Sequence, residues 1–266
     1  MSQPLIPPTD KKFKISDYDT SHTGGMSREA AEVEIVSLRI RLNDLQDHFF
    51  ADRGHALLVV LQAIDTGGKD GTIKSVFQEV GPLGCSVVNF GVPTALELAH
   101  DYLWRYHNET PERGKVVIFN RSYYEAVLVE RVKGIVPDKV WRDRYEQMNG
   151  FERYLTGQGT VVMKFFLHIS KEEQRERLQQ RVDSPKKQWK FRMGDLDDRK
   201  LWEPYEAAFE DMVDKCNTDF APWHVVPADK KWYRDVVVAR ALIERLEKLD
   251  LHYPEPEAGI KGLTIV

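Results

Sequence analysis

The feature that most constrains this chain is residues 56–72, where a short apolar run passes into a glycine-rich turn and then into a helical pattern. The run is rich in strand-forming residues and too short to span a membrane, which predicts a buried strand. Three glycines surround a single lysine in the turn: Gly67, Gly68, Lys69 and Gly71. Glycine lets backbone N–H groups approach an anion, and a helix N-terminus and a lysine add positive charge. The stretch therefore predicts a phosphate-binding loop.

This loop follows the P-loop pattern G-x-x-x-x-G-K-[ST] only in part. Gly68 and Lys69 fit the pattern. Ala63 replaces the first glycine, and Asp70 replaces the usual Ser or Thr after the lysine. Because that hydroxyl normally contacts Mg²⁺, we expect Asp65 inside the loop to bind the metal instead. The alternative is an ordinary strand-to-helix turn with one solvated lysine. We also expect Lys69 to lie on a surface loop, so that Lys69→Ala leaves the fold intact.

Length and composition limit the architectures and partners that the chain can have. A chain of 266 residues, 42% of them hydrophobic, is long enough for one α/β domain with at most small appendages. A net charge of −4 favours neither a nucleic-acid partner nor a membrane. Two cysteines without C-x-x-C spacing argue against a disulfide framework or a cysteine zinc site. Because we find no apolar leader or spanning run, we expect a soluble cytoplasmic protein.

Two regions precede the first strand. Residues 1–26 contain prolines, glycines and a basic cluster, and they predict an extended arm ahead of a single domain over residues 27–266. Ser27 is a candidate helix N-cap. After it, apolar residues recur at spacings of three, four, three and four: Ile35, Leu38, Leu42, Leu45 and Phe49. This amphipathic helix either packs on the sheet or pairs with another subunit, which leaves a homo-oligomer open.

Apolar runs alternate with helical patterns along the rest of the chain. Four further runs predict strands: 86–90, 115–119, 161–169 and 222–228. Helices are predicted between and after them: about 72–80, 122–132, 138–156, 200–216 and 232–249. Thr94 and Glu97 have the spacing of a capping box that opens another helix. This alternation predicts an α/β fold with a doubly wound parallel sheet.

Two polar residues directly after the strand 115–119 are candidates for the same site. In a P-loop fold, a second strand lies beside the first and ends in a polar residue that usually belongs to the Mg²⁺ shell. Here that residue is Asn120, and Arg121 next to it could bind a phosphate with two guanidinium nitrogens. The alternative for Arg121 is a salt bridge to a neighbouring carboxylate.

A strongly basic segment follows the fourth strand. Between residues 175 and 192, seven basic side chains face only two acidic ones, and Ser184-Pro185 interrupts the helix. A broken helix pair with basic residues on both arms is typical of kinase lids that close over phosphates, here at about residues 175–200. A charged, solvated helix is an equal alternative for this segment alone.

Four ordered motifs give the chain a resemblance to a known family. They are Asp65-Thr66-Gly67-Gly68-Lys69-Asp70-Gly71, Phe119-Asn120-Arg121-Ser122-Tyr123-Tyr124-Glu125, Trp189-Lys190-Phe191 and Pro222-Trp223-His224-Val225-Val226-Pro227-Ala228-Asp229-Lys230-Lys231-Trp232-Tyr233. Together they resemble the polyphosphate kinase 2 family, and the likeness extends from about residue 12 to the last helix. The resemblance implies a P-loop kinase-like, thymidylate kinase-like fold with a helical lid. It also implies transfer of phosphoryl groups between inorganic polyphosphate and nucleotides, with Mg²⁺ or Mn²⁺.

The resemblance further implies roles for single residues. Lys69 would hold phosphates at the reacting centre, and Arg121 would stabilise charge on the transferred group. Asp65 would bind the metal directly or through water, or would orient the attacking nucleotide oxygen. Asn120, where other members have aspartate, would lie in the outer metal shell, and with Glu125 it resembles the class III subgroup that accepts both AMP and ADP. Phosphate or polyphosphate contacts are expected from Gly67, Gly68, Gly71, Thr72, Lys74, Arg105, Arg175, Arg181, Lys186 and Lys187. The adenine nucleotide is expected near Gly91, Val92, Pro93, Thr94 and Glu125.

Two other functions stay open. An ATP-dependent nucleoside monophosphate kinase shares the loop and the lid, although the many basic residues in the lid and the missing hydroxyl after Lys69 argue against it. A non-catalytic nucleotide sensor or interaction module is kept open by the heptad-like spacing of the helix after Ser27. For Arg105, a solvated helix face is as good an explanation as phosphate contact.

Overall fold

A five-stranded parallel sheet forms the centre of the protein in the computed structural model, which describes residues 5–260 and 262–265. The strands, in chain order, are β1 (Ala56–Gln62), β2 (Cys85–Asn89), β3 (Val116–Asn120), β4 (Thr160–His168) and β5 (Trp223–Pro227). Their order in the sheet is β2-β3-β1-β4-β5, so β1 has β3 on one side and β4 on the other. From β1 at the centre, the chain passes to the edge strand β2, returns to β3 beside β1, and then crosses to β4 and β5 on the other side. This topology confirms the predicted doubly wound α/β fold.

Ten α-helices surround the sheet within the described residues. They are α1 (Arg28–Asp52), α2 (Lys69–Val76), α3 (Ala95–Leu98), α4 (Trp104–His107), α5 (Val129–Val132), α6 (Asp138–Gly157), α7 (Lys171–Asp183), α8 (Gly194–Lys200), α9 (Trp202–Cys216) and α10 (Lys231–Glu247). Short 3₁₀ turns occur at Ile15–Asp17, Tyr123–Ala126 and Gln188–Lys190. None of the helices in this part of the chain combines the length and the apolar character that crossing a bilayer would take.

Two apolar layers cover the sheet, one on each face. Along β1, Leu58 and Val60 belong to the layer formed with α6 and α9, while Leu57, Val59 and Leu61 belong to the layer formed with α1 and α10. This alternation follows from the two-residue repeat of a strand. Every residue of β1, β4 and β5 is buried, as parallel strands covered by helices on both faces require. The edge strand β2 is partly exposed.

Two predicted helices differ from the structure. The helix expected over about 72–80 is α2, which begins at Lys69 because Gly68 closes the preceding turn in a left-handed conformation with φ of 105°. The single helix expected over 122–132 is wrong, since a 3₁₀ turn at Tyr123–Ala126 is followed by the short helix α5. Five of the six residues from 123 to 128 are buried. The backbone conformation of this segment is therefore determined by packing on several sides rather than by a helical repeat of apolar residues.

The N-terminal segment, expected as an extended arm, lies against α9 and β5 over its described part. The Phe13 N–H donates to Asp214 Oδ1 at 2.9 Å, and the Phe13 ring is buried. The Leu5 carbonyl accepts a hydrogen bond from the Val225 N–H at 2.8 Å, so the segment borders the edge strand β5. Residues 1–4 of the predicted arm lie outside the described residues.

The long helix α1 places its apolar stripe on α10, in the layer that covers the sheet. Ser27 caps the helix as expected, and its side chain accepts from the Ala30 N–H. Of the five apolar residues in the predicted stripe, Leu38 is half-buried and the other four are buried. A second apolar set, which was not part of the predicted stripe, is exposed on this helix: Val33, Val36 and Ile40.

Candidate active site

The glycine loop after β1 is shaped by left-handed backbone positions. Thr66 and Gly68 have φ of 65° and 105°. A Cβ on Gly68 would lie 2.1 Å from Arg234 Nη1, so a larger residue would displace that guanidinium. Helix α2 begins directly after Gly68, and its first N–H groups have no partner within the helix. Loop and helix start together form the positive, amide-rich end that favours an anion.

Lys69 is buried within this region, so its expected position on a surface loop is wrong. It is 8% exposed, and its Nζ donates to the Ala63 carbonyl at 2.9 Å. Burial, reinforced by repulsion from Arg121, lowers the pKa of Lys69 to about 8, while Asp65 and Glu125 act in the opposite direction. A charge held away from water interacts with an anion more strongly than a solvated charge does.

Arg121 connects the end of β3 to the loop after β1. Its backbone is left-handed, with φ of 65°, and its N–H donates to the Leu61 carbonyl at 3.2 Å. Its guanidinium lies 2.7 Å from Asp65 Oδ1 and 3.4 Å from Glu125 Oε2. The salt bridge considered as the alternative for Arg121 is therefore present. Its side chain is still 38% exposed, so an incoming anion can reach it.

Glu125 forms the inner wall of this cluster. Burial raises the pKa of Glu125, while Arg121 and Lys69 nearby act in the opposite direction. With its nitrogen turned toward Glu125, the Gln62 side-chain amide donates to Glu125 Oε1 at 3.0 Å and accepts from Ser122 Oγ at 3.0 Å. Gln62 was not among the residues predicted from the sequence. Its place as the last residue of β1, polar after an apolar run, was the available signal.

Asn120 lies where it was expected, at the carboxyl end of β3 beside β1. Its Nδ2 donates to Asp70 Oδ1 at 2.8 Å and to Asn89 Oδ1 at 2.7 Å. The exposed carboxylate of Asp70 therefore joins the site, although in the sequence this position stood out only by its lack of a hydroxyl. Among the described residues, no group of three or more His, Cys, Asp or Glu side chains is arranged to hold a metal.

Two buried arginines that were not predicted as site residues pack against the glycine loop. Arg177 of α7 donates to the Thr66 carbonyl at 3.0 Å and to Glu173 at 2.7 Å. Arg234 of α10 is 2% exposed and donates to Asp235 Oδ1 through two nitrogens, at 2.8 and 2.6 Å. Burial lowers the pKa of Arg234. Both were visible in sequence only as members of basic runs.

The structure distributes the remaining candidates for phosphate contact over several surfaces. Thr72 is buried, and both its N–H and its hydroxyl donate to the Gly68 carbonyl. Lys74 is exposed on α2. Arg105 of α4 lies 3.0 Å from Glu97 Oε1 and donates to the Gly91 carbonyl at 3.2 Å.

The predicted nucleotide segment follows β2. Gly91 and Val92 are exposed, and Val92 is 92% exposed. Thr94 and Glu97 form the predicted capping box at the start of α3. Arg105 donates to this loop, so the loop is tied to α4 and stays open to solvent.

The basic segment of the predicted lid consists of α7, a break and α8. The break at Ser184-Pro185 lies where it was expected. Arg175 pairs with Glu172 on the surface of α7, and Arg181 donates to the Lys190 carbonyl at 3.2 Å. Lys186 and Lys187 are exposed in the break, next to Trp189, which is 76% exposed. Two arginines of the segment are thus paired within it, and two lysines face solvent.

The chemistry that this arrangement can perform follows from its charges. The ends of β1 and β3 bring together one ammonium and one guanidinium with carboxylates and loop amides: Asp65, Lys69, Asp70, Arg121 and Glu125. Cations and amides in a partly buried cleft stabilise the charge that develops on a phosphoryl group. Nothing in the cluster resembles a Ser–His or Cys–His nucleophile pair, so phosphoryl transfer by positioning and charge neutralisation fits best.

Comparison with known proteins identifies relatives of this chain over most of its length. The family model of polyphosphate kinase 2 matches residues 25–254. The AMP/ADP-polyphosphate phosphotransferase of Meiothermus ruber is 50% identical over 96% of this chain and 97% of that protein. The ADP-polyphosphate phosphotransferase of Rhodopseudomonas palustris is 42% identical over 81% of this chain and 78% of that protein.

A solved structure shares the fold over nearly the whole chain. The crystal structure of polyphosphate kinase 2 from Arthrobacter aurescens TC1 superposes with a TM-score of 0.93 at 37% identity, and it covers 97% of this chain and 92% of that one. The sequence-based resemblance and the P-loop kinase-like fold are thereby confirmed. On these matches, the chain belongs to the polyphosphate kinase 2 family.

Proposed function

We propose that the protein transfers phosphoryl groups between inorganic polyphosphate and AMP or ADP, forming ADP or ATP reversibly. The observation that carries the proposal is the meeting of Lys69, Arg121 and the glycine loop in one cleft at the ends of β1 and β3. Family membership supports it, and the name of the Meiothermus ruber relative contains both AMP and ADP.

The cations of the cleft would act on the phosphates at the reacting centre. Lys69 and the backbone amides from Gly67 to Gly71 would bind phosphate oxygens. The ammonium and the amides are both hydrogen-bond donors, and bulk water does not compete with the phosphate for them. Arg121 would stabilise the charge that develops on the transferred group. Its present partners, Asp65 and Glu125, hold the guanidinium at 2.7 and 3.4 Å, so the binding group is oriented before the phosphate arrives.

A divalent cation, Mg²⁺ or Mn²⁺, fits the donors in this cleft. Such ions prefer carboxylate oxygens and, in kinases, share one or two carboxylates with substrate phosphates. Asp65 and the exposed Asp70 would hold the ion, and Asn120, which donates to Asp70 at 2.8 Å, would orient that carboxylate from outside. When bound, the cation supplies charge neutralisation on the phosphoryl oxygens.

The remaining predicted contacts form the finer part of the proposal. The nucleotide would bind near Gly91, Val92, Pro93, Thr94 and Glu125. The polyphosphate would continue from the loop toward Lys74, Arg105 and the lid side chains Arg175, Arg181, Lys186 and Lys187. A polyanion on such a track binds in a salt-dependent manner.

We infer a cytoplasmic protein without a nucleic-acid or membrane partner, for which the net charge of −4 gives support. A homo-oligomer is favoured by the exposed apolar residues Val33, Val36 and Ile40 on α1.

Donor choice tests the proposal against its two rivals. The purified protein is incubated with AMP or ADP, Mg²⁺ and either polyphosphate or ATP, and nucleotides are resolved over time. We expect ADP and ATP to form with polyphosphate as the donor. Formation of ADP from AMP with ATP alone would favour the ordinary monophosphate kinase, and nucleotide binding without turnover would favour the sensor.

A further inference from the structure

A fully buried ion pair lies below the active site. Glu152 of α6 and Lys164 of β4 have no exposed surface, and Glu152 Oε2 lies 2.7 Å from Lys164 Nζ. Tyr123 and Tyr124 both donate their hydroxyls to Glu152 Oε1 at 2.7 Å. We name these four residues the tyrosine anchor.

The anchor leaves none of the lysine's three donors unused. Lys164 Nζ donates to Glu152 Oε2, to the Tyr124 hydroxyl at 2.9 Å and to the Cys216 carbonyl at 2.7 Å. The ammonium also lies 5.0 Å from the centre of the Trp223 ring. Burying two charges is costly, and apolar residues of similar volume often stabilise a core equally well or better. Stability is therefore a weak reason for this pair to be present.

The anchor holds the segment that carries two active-site residues. Tyr123 and Tyr124 follow Arg121 closely, and Glu125 comes directly after them in the same 3₁₀ turn. One such turn has little stability of its own. Arg121 adopts φ of 65°, which is unfavourable for a residue with a Cβ and persists only when the surroundings fix it.

We propose that Glu152 and Lys164 are positioning residues for phosphoryl transfer, which fix Arg121 and Glu125 through the hydroxyls of Tyr123 and Tyr124. The proposal rests on the function proposed above. The proposed role is to fix geometry: two phenols that donate to one carboxylate oxygen restrain the turn in two directions. The guanidinium is then held 2.7 Å from Asp65 before substrate arrives.

Hydroxyl removal tests the proposal with little change in volume. In Tyr123→Phe/Tyr124→Phe, we expect kcat to fall at least ten-fold while the KM for polyphosphate changes less than three-fold. Leu155→Ala is the matched control, because Leu155 lies on α6 in the same apolar layer and contributes no polar group to the anchor. We expect the control to lower Tm. At assay temperatures well below that Tm, its kcat should equal that of the wild type. An unchanged kcat in the double variant, or an equal loss in the control, would overturn the proposal.

A pair of charge-neutral variants separates anchoring from charge. Glu152→Gln/Lys164→Met keeps an acceptor oxygen for both phenols, and Glu152→Leu/Lys164→Met removes it. We expect the first to keep most of the wild-type kcat and the second to lose as much as the double phenylalanine variant. Equal kcat in the two folded variants would contradict anchoring, and if either fails to fold, the phenylalanine variants decide.

A double-mutant cycle and a structure identify the residue through which the anchor acts. Adding Tyr123→Phe/Tyr124→Phe to Arg121→Ala should reduce kcat by a smaller factor than the same two changes do in the wild type, since one of the two positioned groups is already absent. In crystals of Tyr123→Phe/Tyr124→Phe, the contact between Arg121 and Asp65 should be lost. An unchanged contact would refute the anchor even if the wild type has no polyphosphate-dependent turnover, so failure of the proposed function is distinguishable from failure of this inference.

Discussion

At the scale of single residues, the cleft contains cations whose charged form is made less favourable by burial, and carboxylates whose negative charge offsets part of that cost. Lys69 is 8% exposed and near Arg121, so two positive charges lie close together. Asp65 and Glu125 compensate them in part. A bound phosphate chain would supply further negative charge. The two cations would therefore be balanced more fully with an anionic ligand present than by Asp65 and Glu125 alone.

The lowered pKa of Lys69 predicts a pH dependence. In the free protein the ammonium loses its proton as pH rises through about 8, well below the ordinary 10.5. We therefore expect kcat/KM for polyphosphate to fall above about pH 8 with a single-proton dependence, because kcat/KM reports groups of the free enzyme. Lys69→Arg, which does not titrate in this range, should lack that step. A profile of the wild type that is flat from pH 7 to 10 would contradict the assignment.

The same burial predicts a gain in stability when the charge is removed. The unfolded chain binds more protons than the folded one between about pH 8 and 10.5, so this group makes the free energy of unfolding rise with pH there. At pH 7, Lys69→Met relieves about 3 kcal/mol of this cost and loses about 1 kcal/mol from the hydrogen bond to Ala63. Urea unfolding without ligand should therefore show a more stable variant. A clear loss of stability would mean that the lysine is not desolvated as described.

The carboxylate of Asp65 leads to a prediction about the metal. Asp65→Asn should raise the Mg²⁺ concentration for half-maximal activity about ten-fold or more, by loss of a charged ligand and of the partner of Arg121. Activity is measured against free Mg²⁺. Asp143→Asn, a surface carboxylate paired with Lys139, is the control and should not change this concentration. An unchanged Mg²⁺ requirement in Asp65→Asn would remove Asp65 from the metal site.

At the scale of elements, the parts of the candidate site that lie at strand ends could be predicted from the sequence. The contacts made by helices distant in sequence could not. The loop after β1 and the residues after β3 lie together because parallel neighbouring strands end at the same edge, so the proximity of Lys69, Asn120 and Arg121 was predictable. Arg177 contacts Thr66 from 111 residues away, which no local pattern encodes. Burial of Lys69 was missed for the same reason, since its cover is tertiary.

The basic segment predicted to form a lid leads to a prediction of a salt-dependent effect at this scale. Lys186 and Lys187 are exposed in the break between α7 and α8 and free of the ion pairs that engage Arg175 and Arg181 among the described contacts. Lys186→Ala/Lys187→Ala should raise the KM for polyphosphate and reduce its dependence on salt, with little change in the KM for the nucleotide. Lys139→Ala/Lys248→Ala removes two exposed lysines of α6 and the end of α10 as the control. Equal effects in both pairs would show that only net charge matters.

At the scale of the whole molecule, the alternation of strands and helices was sufficient to predict the doubly wound sheet. Strand β1 at its centre places the glycine loop where the order of strands reverses, which is the usual ligand position in such sheets. The 3₁₀ turn within 122–132 was not predictable, because the buried side chains of this segment pack against several parts of the fold. One of them contacts Glu152, which is remote in sequence. Helical periodicity carries no information about such a segment.

The most direct test of the central claim is the time course of ADP and ATP formed from AMP, Mg²⁺ and polyphosphate, without ATP, by the wild type and Lys69→Ala. We predict sustained product formation by the wild type and a rate lower by a factor of about 100 or more in Lys69→Ala, since one cation at the transferred group is lost. Lys248→Ala should behave as the wild type. Near-normal product formation by Lys69→Ala, or none by the wild type, would contradict the account.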